Sequence, residues 1–371
     1  MDKIIFFAAL VLFPFGQLFK IGFVSLFDIA VLLLAMITLW RRPKYPEWYR
    51  YFIYFLASCI FGLLINHSLF SISSALYLLR LWSYSMVAVY VFNFYKSKNL
   101  NTIYNILLTV SVFSAIFGWL QYFILPDLTA LKYLGWDDHL LRMVGTFIDP
   151  TYLGLILVLG IIILVSKKNF TTKWQALLTF LLISLAFTYS RSSYLALLAV
   201  FIIDLIQTKN VKKFVIFNLL FLLFLFVLPK GIGEGTTLTR TVSGNNKLVN
   251  YSETFEIFKK TPVFGVGFNN ICQARQKYLG DVNTESHSCN GADSSILFLL
   301  ATTGVVGLIL LIGCGLWIVG LNHSTNYLIL TASLFAVFIH SLFVNSMFYP
   351  HIMFWIFCLI GLQTEVNSKS S

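Results

Sequence analysis

SSILFLLATTGVVGLILLIGCGLWIV, residues 294–319, carries no charged side chain. A membrane-spanning helix needs about 20 mostly apolar residues, and this run exceeds that length. Similar runs recur near 4–19, 21–40, 51–66, 70–95, 102–125, 150–166, 174–190, 192–207, 214–229, 293–319, 326–343 and 346–363. The whole chain has the same character, with 58% hydrophobic and 11% charged residues in 371, and a mean hydropathy of +0.82. Ordinary soluble domains carry about 25% charged residues, and a soluble core stops growing at about 250–300 residues. A soluble enzyme, a disordered chain and a secreted disulfide scaffold are therefore excluded. The expectation is an all-α polytopic membrane protein of about twelve spans, a single integral membrane domain over 1–371. The 37 Phe, 18 Tyr and 8 Trp residues fit it, Tyr and Trp suiting interfacial belts.

Charge sets the orientation. Arg41, Arg42, Lys44 and Arg50 fill one connection, Lys96 and Lys98 the next basic one, then Lys167, Lys168 and Lys173, then Lys209, Lys212 and Lys213. Every second connection is basic, which places these in the cytoplasm and, with an even number of spans, both termini as well. The net charge of +11 belongs to such loops and implies no nucleic-acid partner. The first run, Ile4–Phe19, lacks a small-residue cleavage site, so no removable signal peptide is expected.

The opposite connections are mostly tight, but 126–149 and 230–292 are long, and long loops in compact proteins are usually functional. Within 230–292, Leu248, Tyr251, Phe255 and Phe258 recur at spacings of three and four, predicting a short amphipathic helix on the membrane surface. Cys272 and Cys289 share this loop; paired and separate thiols both remain open, and a disulfide would persist if the loop faces an oxidising compartment. Cys59, Cys314 and Cys358 fall in apolar runs and read as core residues.

Three arginines stand out. Arg80 interrupts the run 70–95, Arg142 precedes a span, and Arg191 sits where two spans meet. An arginine at membrane depth is costly and tends to face a cavity or a partner. The structural alternative is a side chain snorkelling to lipid phosphates. The functional one is an anion site, because the planar guanidinium grips phosphate oxygens through two bonds. Asp28, inside the second run, offers Arg80 an ion-pair partner. Asp137, Asp138 and Asp149 read as loop or capping residues, with Asp149-Pro150-Thr151 opening a helix. Asp293 is either the N-cap of the span that follows or a functional carboxylate. His287, a few residues upstream, is either a solvated loop histidine or a candidate base. No cluster has the spacing of a metal site, and neither a Walker A sequence nor a dinucleotide glycine pattern is present.

Four segments carry a family resemblance. Arg142-Met-Val-Gly145-Thr-Phe-Ile-Asp149-Pro150-Thr-Tyr-Leu-Gly154 pairs an arginine and a glycine with a polar–Pro turn opening a helix. Thr188-Tyr-Ser190-Arg191-Ser192 is similar to a Thr-x-Ser-Arg-Ser/Gly signature. Thr261-Pro262-Val-Phe-Gly265-Val-Gly267 is similar to a Pro-x-x-Gly-x-Gly turn, and Asp293-Ser294 precedes Gly304-Val-Val-Gly307 as in a closing motif. Together, in this order, they resemble the O-antigen ligase/polymerase superfamily of bacterial surface-polysaccharide assembly.

The resemblance implies a membrane glycosyltransferase without cofactor or metal, acting at the periplasmic face of the bacterial inner membrane on undecaprenyl-diphosphate-linked oligosaccharides. Arg191 and Arg142, with Arg240 and Arg80 as weaker members, would bind the diphosphate. Asp293 or His287 would orient or deprotonate the acceptor. Ligases of the superfamily usually place His-Asn/Ser/Gln nine residues before the Gly-x-x-Gly pair; Asp293-Ser294 occupies that place here, which favours the polymerase branch. The family also often has an arginine after a Ser-Gly pair, where Ser243-Gly244-Asn245-Asn246-Lys247 stands, so Arg240 or Lys247 would substitute. Attachment of glycan to lipid A–core (ligase), transport of lipid-linked sugar (flippase) and a non-enzymatic scaffold are the competing readings. A chain-length regulator and a flippase are the further partners implied. Arg275 lies outside every motif and is expected to be dispensable.

Overall fold

A computed structural model describes residues 2–21, 24–95, 100–134, 139–167, 171–229, 234–238, 241–280, 289, 291–320 and 327–367. These residues are almost entirely helical: α1 Asp2–Leu12, α2 Leu26–Trp40, α3 Glu47–Ile65, α4 Ile72–Phe94, α5 Leu100–Ile124, α6 Pro150–Val165, α7 Thr172–Ala186, α8 Arg191–Thr208, α9 Val211–Val227, α10 Val242–Lys260, α11 Ile271–Leu279, α12 Ser295–Gly320, α13 Tyr327–Ser341 and α14 Pro350–Asn367. A short antiparallel pair, Lys20–Ile21 with Val24–Ser25, precedes α2.

An apolar helix stands in each of the twelve runs, but their lengths differ. Among the described residues α3, α4, α5, α8 and α12 are long and apolar enough to cross a membrane, while α2, α6, α7, α13 and α14 supply shorter apolar stretches. α9 turns Leu219, Leu222 and Phe226 outward, the last 93% exposed. An exterior of that kind suits lipid rather than water. The chain is a membrane protein.

Contacts divide the chain into two compact units. The first comprises Met1–Leu33, Lys96–Arg240 and Ser324–His340; the second comprises Leu34–Tyr95, Thr241–His323 and Ser341–Ser371. In the first unit α6 is the central element. It is apolar all round, packs on α5, α7 and α8, and is buried along nearly its whole length. Small residues let these helices close in: a Cβ on Gly160 would stand 2.3 Å from the Ser111 hydroxyl, and one on Gly154 2.4 Å from that of Ser193. In the second unit α4 packs on α14 and α3 on α12, with α10 and α11 laid against α12.

The long loop contains α10 where the spacing predicts a helix. Thr254 and Ile257 are inside, while Leu248 and Phe255 are exposed. α11 was not expected from the sequence at all. Cys272, on α11, is bonded to Cys289, and Cys59, Cys314 and Cys358 are buried free thiols.

α12 is broken at Gly304 (φ 67°, ψ −170°). The break strands backbone groups that a continuous helix would satisfy, and the turn 262–267 takes them up. Val266 and Gly267 donate to the carbonyls of Ala301 (2.9 Å) and Thr302 (3.0 Å), and Val305 and Val306 donate to those of Pro262 (2.9 Å) and Val263 (3.2 Å). Two of the four sequence motifs are thus the two halves of one backbone joint.

Candidate functional site

The first unit presents Arg191 on a strained turn. α7 ends at Ala186, and Thr188-Tyr189-Ser190 reverses the chain with Tyr189 in the left-handed region (φ 49°). Ser190 caps α8 and Arg191 is its first residue. The guanidinium therefore stands at the positive end of a helix, an arrangement that attracts anions. Arg191 Nη1 donates to the Leu238 carbonyl at 3.4 Å.

Arg142, only 6% exposed, grips this turn from below. Its Nε donates to the Thr188 carbonyl (3.1 Å) and its Nη2 to that of Tyr189 (3.3 Å). The Tyr189 hydroxyl in turn donates to the Pro229 carbonyl at 2.6 Å. Gly235 lies where a Cβ would come within 2.9 Å of Arg142 Cδ, so the segment bearing Leu238 crosses directly over the Arg142 stem. The structure brings the two arginines to one turn in different roles, Arg142 holding the backbone and Arg191 standing at the helix start.

The signature serines are not exposed nucleophiles. Ser190 Oγ meets Ser193 Oγ at 2.8 Å, and both Ser192 and Ser193 reach Nε2 of the fully buried His340, at 3.1 and 3.3 Å. They lock α8 to α13 within the first unit. Asp149 caps α6 by accepting from the Thr151 backbone and hydroxyl, both at 2.6 Å. Asp28 accepts from the Ser25 hydroxyl (2.7 Å) in the first turn of α2.

The second unit builds a different array around Asp293. Ser294 caps α12, its hydroxyl accepting from the Leu297 backbone (3.4 Å). Asp293 N–H donates to Asn250 Oδ1 (2.8 Å), and the Tyr251 hydroxyl lies 3.3 Å from the Asp293 carbonyl and 2.9 Å from that of Leu342. Burial, and then the negative Asp293, push the Tyr251 phenol up to about 12, so it stays neutral at physiological pH. Lys247 donates to the Phe343 carbonyl.

Arg275, which lies outside the motifs, belongs to this array. It is 3% exposed, donates through Nη1 to the Cys289 carbonyl (3.0 Å) and has Nε 3.5 Å from Glu253 Oε2. Burial pulls its pKa down, while Glu253 and Asp293 pull it back up. The one signal in the sequence was the Cys272/Cys289 pair flanking it.

Arg80, half-buried on α4, stacks over Tyr77 (4.7 Å) and bears electrostatically on His351. Arg240 and His287 lie outside the described residues, as do Asp137 and Asp138. Among the described residues no group of three His, Cys, Asp or Glu side chains is placed to hold a metal ion.

A family model described as O-antigen ligase matches residues 176–312. The match runs from within α7 to within α12 and takes in Arg191, α10, α11 and Asp293; Arg142 and Arg80 fall outside it. It supports placing the chain in the O-antigen ligase/polymerase superfamily, as the four motifs indicate, and with that a glycosyltransferase-like role in polysaccharide biosynthesis. No curated protein gives a significant match.

Proposed function

We propose that the chain is a surface-polysaccharide polymerase of the bacterial inner membrane, with about twelve spans, cytoplasmic termini and chemistry at the periplasmic face. It takes a growing glycan from undecaprenyl diphosphate and transfers it onto the non-reducing end of a lipid-linked repeat unit. The acceptor hydroxyl attacks the anomeric carbon, the bond from that carbon to the diphosphate oxygen breaks, and undecaprenyl diphosphate leaves. The hydroxyl proton passes to a base.

The donor is already activated, so the reaction asks chiefly for a positive group that meets charge as it develops on the leaving diphosphate. A preorganised donor of that kind is worth on the order of 10²–10³ in rate. Arg191 is the candidate, because its own backbone starts α8 and Arg142 fixes the turn that carries it. Asp293 is the candidate base. It stands at the start of α12 beside the capping Ser294, and a carboxylate in reach of a hydroxyl is a competent general base. His287 remains the alternative base; Arg240 and Arg80 remain weaker diphosphate ligands. The aromatic-rich spans would form the groove for the polyprenyl tail.

The observation that carries the polymerase reading is Asp293-Ser294 separated by nine residues from Gly304-Val-Val-Gly307, where ligases carry histidine. An in-frame deletion followed by gel analysis of surface glycans tests it. Loss of polymerase leaves lipid A–core bearing a single repeat unit. Core stripped of all glycan would instead mark a ligase or flippase and overturn the proposal.

A further inference from the structure

We propose that the cleft between α3 and α4, within the second unit, binds an anionic phospholipid, with the headgroup at Arg50 and one acyl chain lying along the cleft towards His67.

α3 packs chiefly on α12 and α4 on α14, so the two helices part from one another. Two contiguous cavities open between them and share Ile53 and Trp82. The larger, about 680 Å³, is a slot for hydrocarbon. Apart from Trp82 and from His67 at its far end its lining side chains are apolar, with Leu56, Ile60 and Leu64 from α3 and Leu78 and Leu79 from α4. The smaller, about 630 Å³, is its more polar mouth, lined by Tyr45, Glu47, Tyr49 and Arg50. One leaflet of hydrocarbon is half the ~30 Å core, or about 15 Å, and at about 1.5 Å per residue a chain of that length covers roughly ten residues of α3. Counted from Ile53, it ends at Leu63, inside the slot.

The mouth has the charge and the aromatic rings of a headgroup site. Arg41, Arg42, Lys44 and Arg50 outnumber Glu47 in the connection that forms it. That connection is pinned across the cleft to the end of α4: Lys44 N–H donates to Asn93 Oδ1 (3.0 Å), Asn93 Nδ2 donates to the Lys44 carbonyl (2.9 Å), and the Arg41 guanidinium stands over the Phe94 ring (5.2 Å). Arg50 is exposed and lies over the Tyr51 ring (5.2 Å). Tyr45 and Tyr49 stack at 5.0 Å, at the depth where amphipathic rings meet headgroups.

The mouth is remote from Asp293, which sets this lipid apart from the substrate. Cys314 Sγ donates to the Trp48 carbonyl (3.9 Å), so the Arg50 end of α3 lies beside the late turns of α12. Asp293 precedes the first turn, and Ser295 to Cys314 measures about 28 Å along the helix. At the far end of α3, Asn66 Nδ2 donates to the Gly265 carbonyl (2.8 Å), in the turn joined to α12 at Gly304. A headgroup at Arg50 therefore belongs to the leaflet opposite the one that borders Asp293.

The test uses the purified full chain, stripped of lipid in detergent micelles, and phosphatidylglycerol or phosphatidylcholine with brominated acyl chains, since bromine quenches an indole it touches. The difference between wild type and Trp82→Phe isolates Trp82, at the waist of the cleft. Phosphatidylglycerol is expected to quench Trp82 at a concentration at least tenfold below phosphatidylcholine. Arg50→Ala is expected to weaken phosphatidylglycerol roughly fivefold, as loss of one cation near a lipid surface does, and to leave phosphatidylcholine unchanged. Ala57→Phe, which fills an exposed position of the slot, is expected to weaken both lipids alike. Equal quenching by the two lipids, or phosphatidylglycerol binding that neither variant weakens, overturns the proposal. So does displacement of brominated phosphatidylglycerol by equimolar undecaprenyl phosphate, which would make the cleft a groove for the substrate tail.

Discussion

The carbonyl oxygen of Val263 lies 2.2 Å from where a Cβ on Gly304 would stand. Gly304 also holds φ at +67°, a conformation that costs a residue with a side chain roughly 1–3 kcal/mol before any clash is counted. Gly304→Ala is therefore expected to pry the 262–267 turn from α12 and to lower the thermal midpoint in detergent. Gly313→Ala is the contrast: nothing lies within 4 Å of its Cβ position, and alanine in a helix interior gains about 0.5–1 kcal/mol over glycine. Equal midpoints for the two variants would refute the joint.

Arg142 and Arg191 are expected to fail differently. Arg142→Ala removes charge-assisted bonds to two carbonyls of the turn, costing on the order of 3 kcal/mol, so protein level and polymer should fall together. Arg142→Lys recovers little, because an ammonium cannot span both carbonyls as the planar fork does. An Arg142→Ala protein with wild-type stability would show that the turn does not depend on it.

Tyr251 makes a prediction about alkaline stability. With its pKa raised to about 12 from the ordinary 10, the folded chain favours the neutral phenol. Its stabilising share is complete below pH 10 and is lost as pH rises from 10 to 12. Tyr251→Phe should therefore show a flatter fall of stability across that window than wild type, measured by denaturant unfolding. Parallel curves would contradict the assignment.

Much of this was legible in the sequence because lipid demands long uncharged runs. The apolar helices announced themselves, and α10 was betrayed by its three-and-four spacing. That α10 also buries Thr254 and Ile257 was not legible, since those positions are chosen by contact with other elements and not by its apolar stripe. α11 is only nine residues long, with Arg275 on its inner face, so periodicity had nothing to report. The cap of α12 was ambiguous between two adjacent side chains that both cap well, and the structure awards it to Ser294. The grip of Arg142 on residues 188 and 189 joins positions far apart in the chain, which local pattern cannot reveal. The four motifs did not reveal their division of labour: two form a backbone joint and two form the arginine turn.

Membrane orientation is open to direct measurement. Single cysteines at positions 168 and 212 are expected to resist an impermeant thiol reagent in intact spheroplasts, whereas those at 138 and 246 should react. The pairing of Cys272 with Cys289 agrees with an oxidising side for the long loop. Labelling of 168 or 212 with 246 protected would invert the orientation.

The central claim is that Arg191 holds the diphosphate, and the measurement that bears on it most directly is polymer formation by Arg191→Lys and Arg191→Ala beside immunoblots of the membrane fraction. A guanidinium that binds through two parallel bonds cannot be replaced by a point charge, so both variants are expected to lose on the order of 10²–10³ in rate while accumulating at near wild-type levels. Long polymer from Arg191→Ala, or loss of polymer only in step with loss of the protein, would contradict the claim and make Arg191 a structural residue.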